Sequence, residues 1–183
     1  MVKIKQFSKK YKHTTIETKP ITFDKKVTLI IGPNGSGKTT VLKGIANLIN
    51  YEGEIINEGT VLYAEELIRY PEDMSVNTYL NTLLEIGKGN KILKEELLIK
   101  FDLYEKRNDP FKSLSKGMKQ KVHLIQALME ERDVYLLDEP FSGLDAQSRI
   151  QLVNIIAQRD EKFICSTHQS DEFERLNPKK VYL

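Results

Sequence analysis

Apolar and polar residues alternate through VKIKQF, residues 2–7, and again from about 14 to 23. That period of two predicts half-exposed antiparallel strands. VTLII, residues 27–31, breaks the alternation with an unbroken apolar run, the pattern of a strand buried on both faces. A helix is predicted over about 38–49, a short hairpin-like piece over 52–59 (EGEIINEG) and a strand over 60–64 (TVLYA). From Ser75 to about Phe101 the apolar spacing lengthens to the helical one, with Val76, Tyr79, Leu80, Leu83 and Leu84, then Ile92, Leu93, Leu97 and Leu98. Gly87 and Gly89 divide this stretch into two helices. A helix over about 116–129, a strand at 134–138, a helix near 146–158 and a strand at 162–167 complete an α/β order.

The 183 residues suffice for one sizeable core and predict a single domain carrying a subdomain. With 28 basic and 26 acidic residues the net charge is only +2, so nothing demands a nucleic-acid surface. The single cysteine, Cys165, excludes an internal disulfide, and its apolar setting (FIC) predicts a buried packing role. No apolar run approaches the roughly 18 residues of a membrane span, and no secretory signal precedes Val2. The expected location is the cytosol, with any membrane attachment supplied by a partner.

IIGPNGSGKTT, residues 30–40, places Gly32, Gly35 and Gly37 between an apolar strand and Lys38. The spacing G-x-x-x-x-G-K-T is that of a phosphate-binding loop joining a strand to a helix. Such a loop, Gly32-Pro33-Asn34-Gly35-Ser36-Gly37, turns its backbone N–H groups toward phosphate oxygens. The helix opened by Thr39 and Thr40 adds its positive end. Lys38 supplies a point charge for the β- and γ-phosphates, and the Thr39 hydroxyl a position for Mg²⁺.

VYLLDEP, residues 134–140, runs an apolar strand into two adjacent carboxylates, which are costly to bury unless a cation or proton needs them. Asp138, at the strand's C-terminal end, is expected beside the loop, holding Mg²⁺ through water. Glu139 is expected to polarise an attacking water.

With these residues, the chain resembles the ATP-binding subunit of an ATP-binding-cassette transporter along nearly its whole length. LSKGMKQK, 114–121, is similar to the family's LSGGQ signature; Ser115 and Gly117 remain, while Lys116 and Met118 replace a glycine and the glutamine. SGLD, 142–145, resembles the loop after the catalytic glutamate, and STHQSDE, 166–172, carries His168 where the family has its switch histidine. Tyr11 stands where the family stacks an aromatic on adenine. Glu66 stands at the family's glutamine, a metal position, with Glu65 as its neighbouring candidate.

The resemblance implies a P-loop NTPase core with a mostly parallel sheet, an N-terminal antiparallel β subdomain and an inserted helical subdomain of about residues 72–130. It implies a Mg²⁺-dependent ATPase with Glu139 as base and His168 on the γ-phosphate. It also implies a head-to-tail homodimer or heterodimer, in which Ser115, Lys116, Gly117 and Asp145 bind ATP across the interface. A separate membrane permease would hold the subunit at the inner face of the cell membrane, docking on a segment, 66–76, that is rich in apolar residues (Leu67, Ile68, Tyr70, Pro71, Met74). The S-K-G-M-K-Q form resembles exporter subunits, and the ending KKVYL a compact version of the module. No nucleic-acid partner is expected. The alternatives are a nucleotide-dependent switch and a cassette ATPase acting on nucleic acid.

Overall fold

A computed structural model describes residues 1–66, 69–87, 89–168 and 171–183. The chain divides into two compact units. One comprises 1–65, 132–140 and 156–183; the other comprises 66–131 and 141–155.

The first unit holds two sheets. Strand β1 (Val2–Lys10) pairs antiparallel with β2 (Thr15–Thr18), β3 (Ile21–Phe23) and β5 (Glu52–Asn57). The alternation over 14–23 thus forms two strands, because Pro20 lacks the N–H that a continuous ladder needs. EGEIINEG supplies one strand rather than a hairpin, since its hydrogen-bonding partner is the distant β1.

The second sheet has the order β6-β7-β8-β4-β9: Val61–Ala64, Val134–Asp138, Lys162–Thr167, Val27–Ile31 and Lys179–Tyr182. All its pairings are parallel. Strand β7 is buried at every position, as its apolar run requires. Strand β9 has no counterpart among the elements the pattern predicts; its two lysines hide an edge strand. Between the sheets lies α1 (Lys38–Ile45), shorter than the expected 38–49. Val41, Leu42 and Ile45 join Val2, Ile4, Phe7 and Phe23 of one sheet and Ile30, Leu136 and Ile164 of the other in a single core. Burying each such side chain contributes about 1.5–3 kcal/mol. Cys165 of β8 is also buried, and burial pushes its thiol well above the ordinary range.

The second unit is helical: α2 (Val76–Glu85), α3 (Lys91–Lys100), α4 (Lys116–Leu128) and α5 (Ala146–Gln158), the last assigned to this unit through Ile155. Ser75 caps α2 by accepting from Thr78 N–H, and Asn90 caps α3 by accepting from Ile92 and Leu93 N–H. The apolar pattern misleads at one point. Ile92 faces outward at 69% exposure, while Lys94 is only 2% exposed. The buried ammonium is satisfied by Asn77 Oδ1 at 3.0 Å, Asn81 Oδ1 at 2.8 Å and Glu95 Oε1 at 2.8 Å, one acceptor for each of its protons. Tyr70 stacks on the buried Phe111, with centroids 4.2 Å apart, and Tyr79 meets both rings edge-on. Burial pushes the Tyr70 phenol up. Tyr70 is therefore part of this unit's packing; Leu67 and Ile68 of the same segment lie outside the described residues.

Candidate functional site

The C-terminal ends of β4, β8 and β7 form one edge of the parallel sheet, the usual place for ligands in open α/β folds. The loop from Gly32 to Gly37 leaves β4 there and enters α1. Gly37 has φ of 101°, a conformation that side-chain-bearing residues rarely adopt. A Cβ there would also run into Ile16 Cγ2. Pro33, Asn34 and Gly35 are exposed, and Thr40 is half-buried. The half-buried Ser36 has a hydroxyl with no hydrogen-bond partner among the described residues, an orphan that suits a phosphate acceptor.

Lys38 is 6% exposed and donates to Gly32 O at 2.8 Å and Pro33 O at 3.2 Å. Its Nζ also lies 3.4 Å from Glu139 Oε1. The other Glu139 oxygen, Oε2, is 3.0 Å from His168 Nδ1, on an imidazole that is 61% exposed. Lysine, glutamate and histidine thus form a continuous polar line along the sheet edge, open to solvent at its histidine end.

Asp138 ends β7 and is 4% exposed. Its strand does not adjoin β4, the strand that leads into the loop; β8 lies between them. Ser166 of β8 donates to Asp138 Oδ1 at 2.5 Å and accepts from Glu139 N–H at 2.8 Å. Tyr63 of β6 donates to Asp138 Oδ2 at 3.1 Å. Ser166 and Tyr63 are absent from the residues the motifs single out. The available signal is a pair of hydroxyls, Ser166 and Thr167, between the apolar run FIC and His168, and a phenol in the strand that pairs with β7. Thr39 is exposed at the first turn of α1. Tyr11 is 43% exposed; its hydroxyl is 3.2 Å from Thr40 Oγ1, and the Lys9 ammonium lies 5.7 Å from its ring centroid.

The remaining candidates sit in the helical unit and act first on their own helices. Ser115 caps α4, its Oγ accepting from Met118 N–H at 3.2 Å, which leaves the hydroxyl proton available to an acceptor. Gly117 lies so near the 141–145 turn that a Cβ would stand 2.8 Å from Gly143 O. Lys116 is exposed, with its aliphatic stem over Gly143. Asp145 caps α5 through Ser148 N–H at 2.8 Å and lies 3.5 Å from Lys121 Nζ. Hydrogen bonds from Ser148, first its N–H and then its hydroxyl, hold the Asp145 carboxyl below the usual range. Glu66 accepts from the Ser142 hydroxyl at 3.2 Å, and Glu65 is exposed at the end of the first unit's leading segment.

The family profile described as ABC transporter matches residues 22–142, which contain the loop, the signature segment and both strand-end carboxylates. The chain belongs to the ABC transporter family. Its mixed α/β architecture is that of a P-loop ABC ATPase domain. A solved ATP-binding subunit of an ABC transporter superposes with a TM-score of 0.85 at 26% identity, covering 100% of this chain and 85% of that one. The aliphatic sulfonates import ATP-binding protein of Bacillus cereus is 34% identical over 165 residues, covering 78% of this chain and 62% of the relative. A chain in the crystal structure of the complex of archaeal ribosomal stalk protein aP1 and archaeal ribosome recycling factor aABCE1 gives a TM-score of 0.83 at 25% identity, covering 98% of this chain and 36% of that one. The chain spans between 55% and 62% of the length of the first curated relatives it matches.

Proposed function

We propose that this chain is an ATP-binding and ATP-hydrolysing subunit that energises movement of a substrate through a separate membrane permease. The observation that carries the proposal is the Lys38–Glu139–His168 line at the mouth of the phosphate loop. In this reading the loop amides and Lys38 hold the phosphates of ATP, with Tyr11 stacked on the base. Glu139 takes the proton of the attacking water, and His168, already bonded to it, contacts the γ-phosphate.

Among the described residues no cluster of three or more His, Cys, Asp or Glu side chains could hold a metal by itself. Thr39 and Asp138 do offer hydroxyl and carboxylate oxygens, the donors that Mg²⁺ takes alongside phosphate oxygens and water. Held there, Mg²⁺ would neutralise charge on the phosphates.

Two copies, or this chain and a related one, would close head to tail, with Ser115, Lys116, Gly117 and Asp145 of one facing the nucleotide of the other. The free proton of Ser115 and the N-terminal end of α4 suit a phosphate oxygen. The helical unit would be a subdomain inserted in a single nucleotide-binding domain. Among the described residues no helix is long and apolar enough to cross a membrane. In this reading the permease holds the subunit at the inner face of the membrane. The exporter likeness of S-K-G-M-K-Q finds no support, since the sulfonate relative is an import protein, and no direction is part of the proposal.

The likeness to a chain from the ribosome recycling factor complex favours one second reading, in which ATP turnover acts on an RNA-containing assembly. The near-neutral charge counts against it. Purification of the full chain from its native cells separates the two readings. Transport requires an integral-membrane chain to co-purify in stoichiometric amount. Recovery with ribosomes, and no membrane chain, would overturn it.

A further inference from the structure

Ser166 stands directly opposite Asp138 in the β7–β8 register and is fully buried. A hydroxyl has one proton to give. Ser166 spends it on Asp138 Oδ1, which leaves its lone pairs to accept Glu139 N–H. One side chain therefore ties both adjacent carboxylate residues to the strand that leads to His168.

From the opposite side of β7, Tyr63 gives its phenolic proton to Asp138 Oδ2. The Lys43 ammonium, 5.9 Å from the Tyr63 ring centroid, flanks this ring. Asp138 thus has a hydroxyl donor on each oxygen, one from each neighbouring strand, and cannot turn its carboxylate plane without breaking one. An ionised carboxylate offers about four acceptor sites, so two remain for water or a metal. Glu139 itself has φ of 45°, unusual for a residue with a side chain. Such conformations cost on the order of 1–3 kcal/mol and persist only where the surroundings impose them. The Ser166 bond falls on the N–H of that same residue.

We infer that Ser166 and Tyr63 are positioning residues of the ATPase site. Ser166 sets the Asp138 carboxylate and the Glu139 backbone as one piece, and Tyr63 fixes the second Asp138 oxygen. The inference rests on the reading of Asp138 as a metal-binding carboxylate. The competing view is that the hydroxyls merely satisfy a buried acid, as any buried carboxylate needs. The two views differ in what the metal feels.

The test uses the full chain with Mn²⁺ as probe and a non-hydrolysable ATP analogue, free Mn²⁺ being read by electron paramagnetic resonance. Tyr63→Phe and Ser166→Ala should each weaken Mn²⁺ binding by about 10–100-fold, the range for residues that orient a metal ligand. Binding of the analogue without metal should stay at the wild-type level, because the loop and Lys38 are untouched. In turnover with saturating Mg²⁺, Ser166→Ala should lose kcat with little change in KM. Tyr63→Phe should recover as Mg²⁺ is raised, because it leaves the Ser166 bond to Glu139 N–H in place. Ser166→Thr, which keeps the hydroxyl, should restore metal binding. Should Ser166→Ala fail to fold, Tyr63→Phe decides, since Tyr63 is half-buried and loses one oxygen atom. Wild-type Mn²⁺ affinity in Tyr63→Phe, with Asp138→Asn impaired, overturns the inference. Wild-type affinity in Asp138→Asn as well overturns the underlying metal reading and the inference with it.

Discussion

The sheet edge and the signature segment both carry family residues, but they use them in opposite ways. At the sheet edge the candidate side chains contact one another across elements: Lys38 of α1 pairs with Glu139, Glu139 bonds to His168, and Ser166 and Tyr63 bond to Asp138. In the helical unit the candidate residues serve local order: Ser115 and Asp145 each cap their own helix through Met118 and Ser148, Gly117 packs against Gly143, and Asp145 also pairs with Lys121 of α4. On the proposed reading the first region is preorganised for chemistry, with donors and charges already gathered at the mouth of the phosphate loop. The second is preorganised for presentation, with two capped helix starts held by close backbone contact. A substitution at the edge should therefore separate chemistry from stability, and one in the signature segment should couple them.

The sharpest break is Glu139→Gln. It keeps the side chain's size and removes the carboxylate proposed as the base, so hydrolysis should fall about 10²–10⁴-fold. ATP binding should survive because the loop is unchanged. With ATP and Mg²⁺ the variant should then accumulate as a dimer in light scattering. Near-normal turnover would remove Glu139 from its role, and a tight dimer indifferent to nucleotide would remove ATP from the interface.

Gly117→Ala probes the other side of the comparison. Its Cβ would meet the Gly143 carbonyl at 2.8 Å, and a backbone atom cannot swing aside as a side chain can. Overpacking of this kind costs about 1–3 kcal/mol, to be read as a lowered midpoint of urea unfolding. Nucleotide binding by the loop should be unaffected, while ATP-driven dimerisation and turnover should fall with the distorted segment. Unchanged stability would mean that the 141–145 turn yields easily, and that the two helix starts are less firmly held than their contacts indicate.

The difference between the regions also accounts for what the sequence could reveal. The phosphate loop is legible because G-x-x-x-x-G-K-T answers to one local geometry, and the glycine at 37 is demanded by both its φ and Ile16. Strand β7 is legible because an unbroken apolar run ending in Asp138 and Glu139 suits a buried strand that delivers two carboxylates to a sheet edge, and little else. The placement of β8 between β4 and β7 is not legible, because strand order is a long-range property that no spacing encodes. With it went Ser166 and Tyr63, whose importance appears only once the strands are side by side. Lys94 escaped for a related reason: its charge marks it as exposed until Asn77, Asn81 and Glu95 are seen around it. Tyr70, expected at a docking groove, also packs on Phe111, a contact with a residue far along the chain that the apolar run of 66–76 does not specify.

The smallest effect concerns Asp145, where presentation can be measured without nucleotide. Its carboxylate caps α5 through Ser148, and the same hydrogen bonds lower its pKa below the usual value. A depressed folded-state pKa means that the unfolded chain binds the proton more readily, so the contribution is present at neutral pH and is lost as pH falls through the folded value. Asp145→Ala should therefore cost about 1 kcal/mol near pH 7, the usual worth of an N-cap. Lys121, 3.5 Å away on an exposed carboxylate, should add little to this, so high salt should scarcely change it. As pH drops below the ordinary carboxylate range, the gap between wild type and variant should narrow, because the wild-type cap is then protonated as well. The measurement is a set of urea unfolding curves for both proteins from neutral pH into the acid range. A gap that stays constant into strong acid would show that Asp145 stabilises α5 by packing rather than by charge, and this helix start would then owe its order to its neighbours and not to its cap.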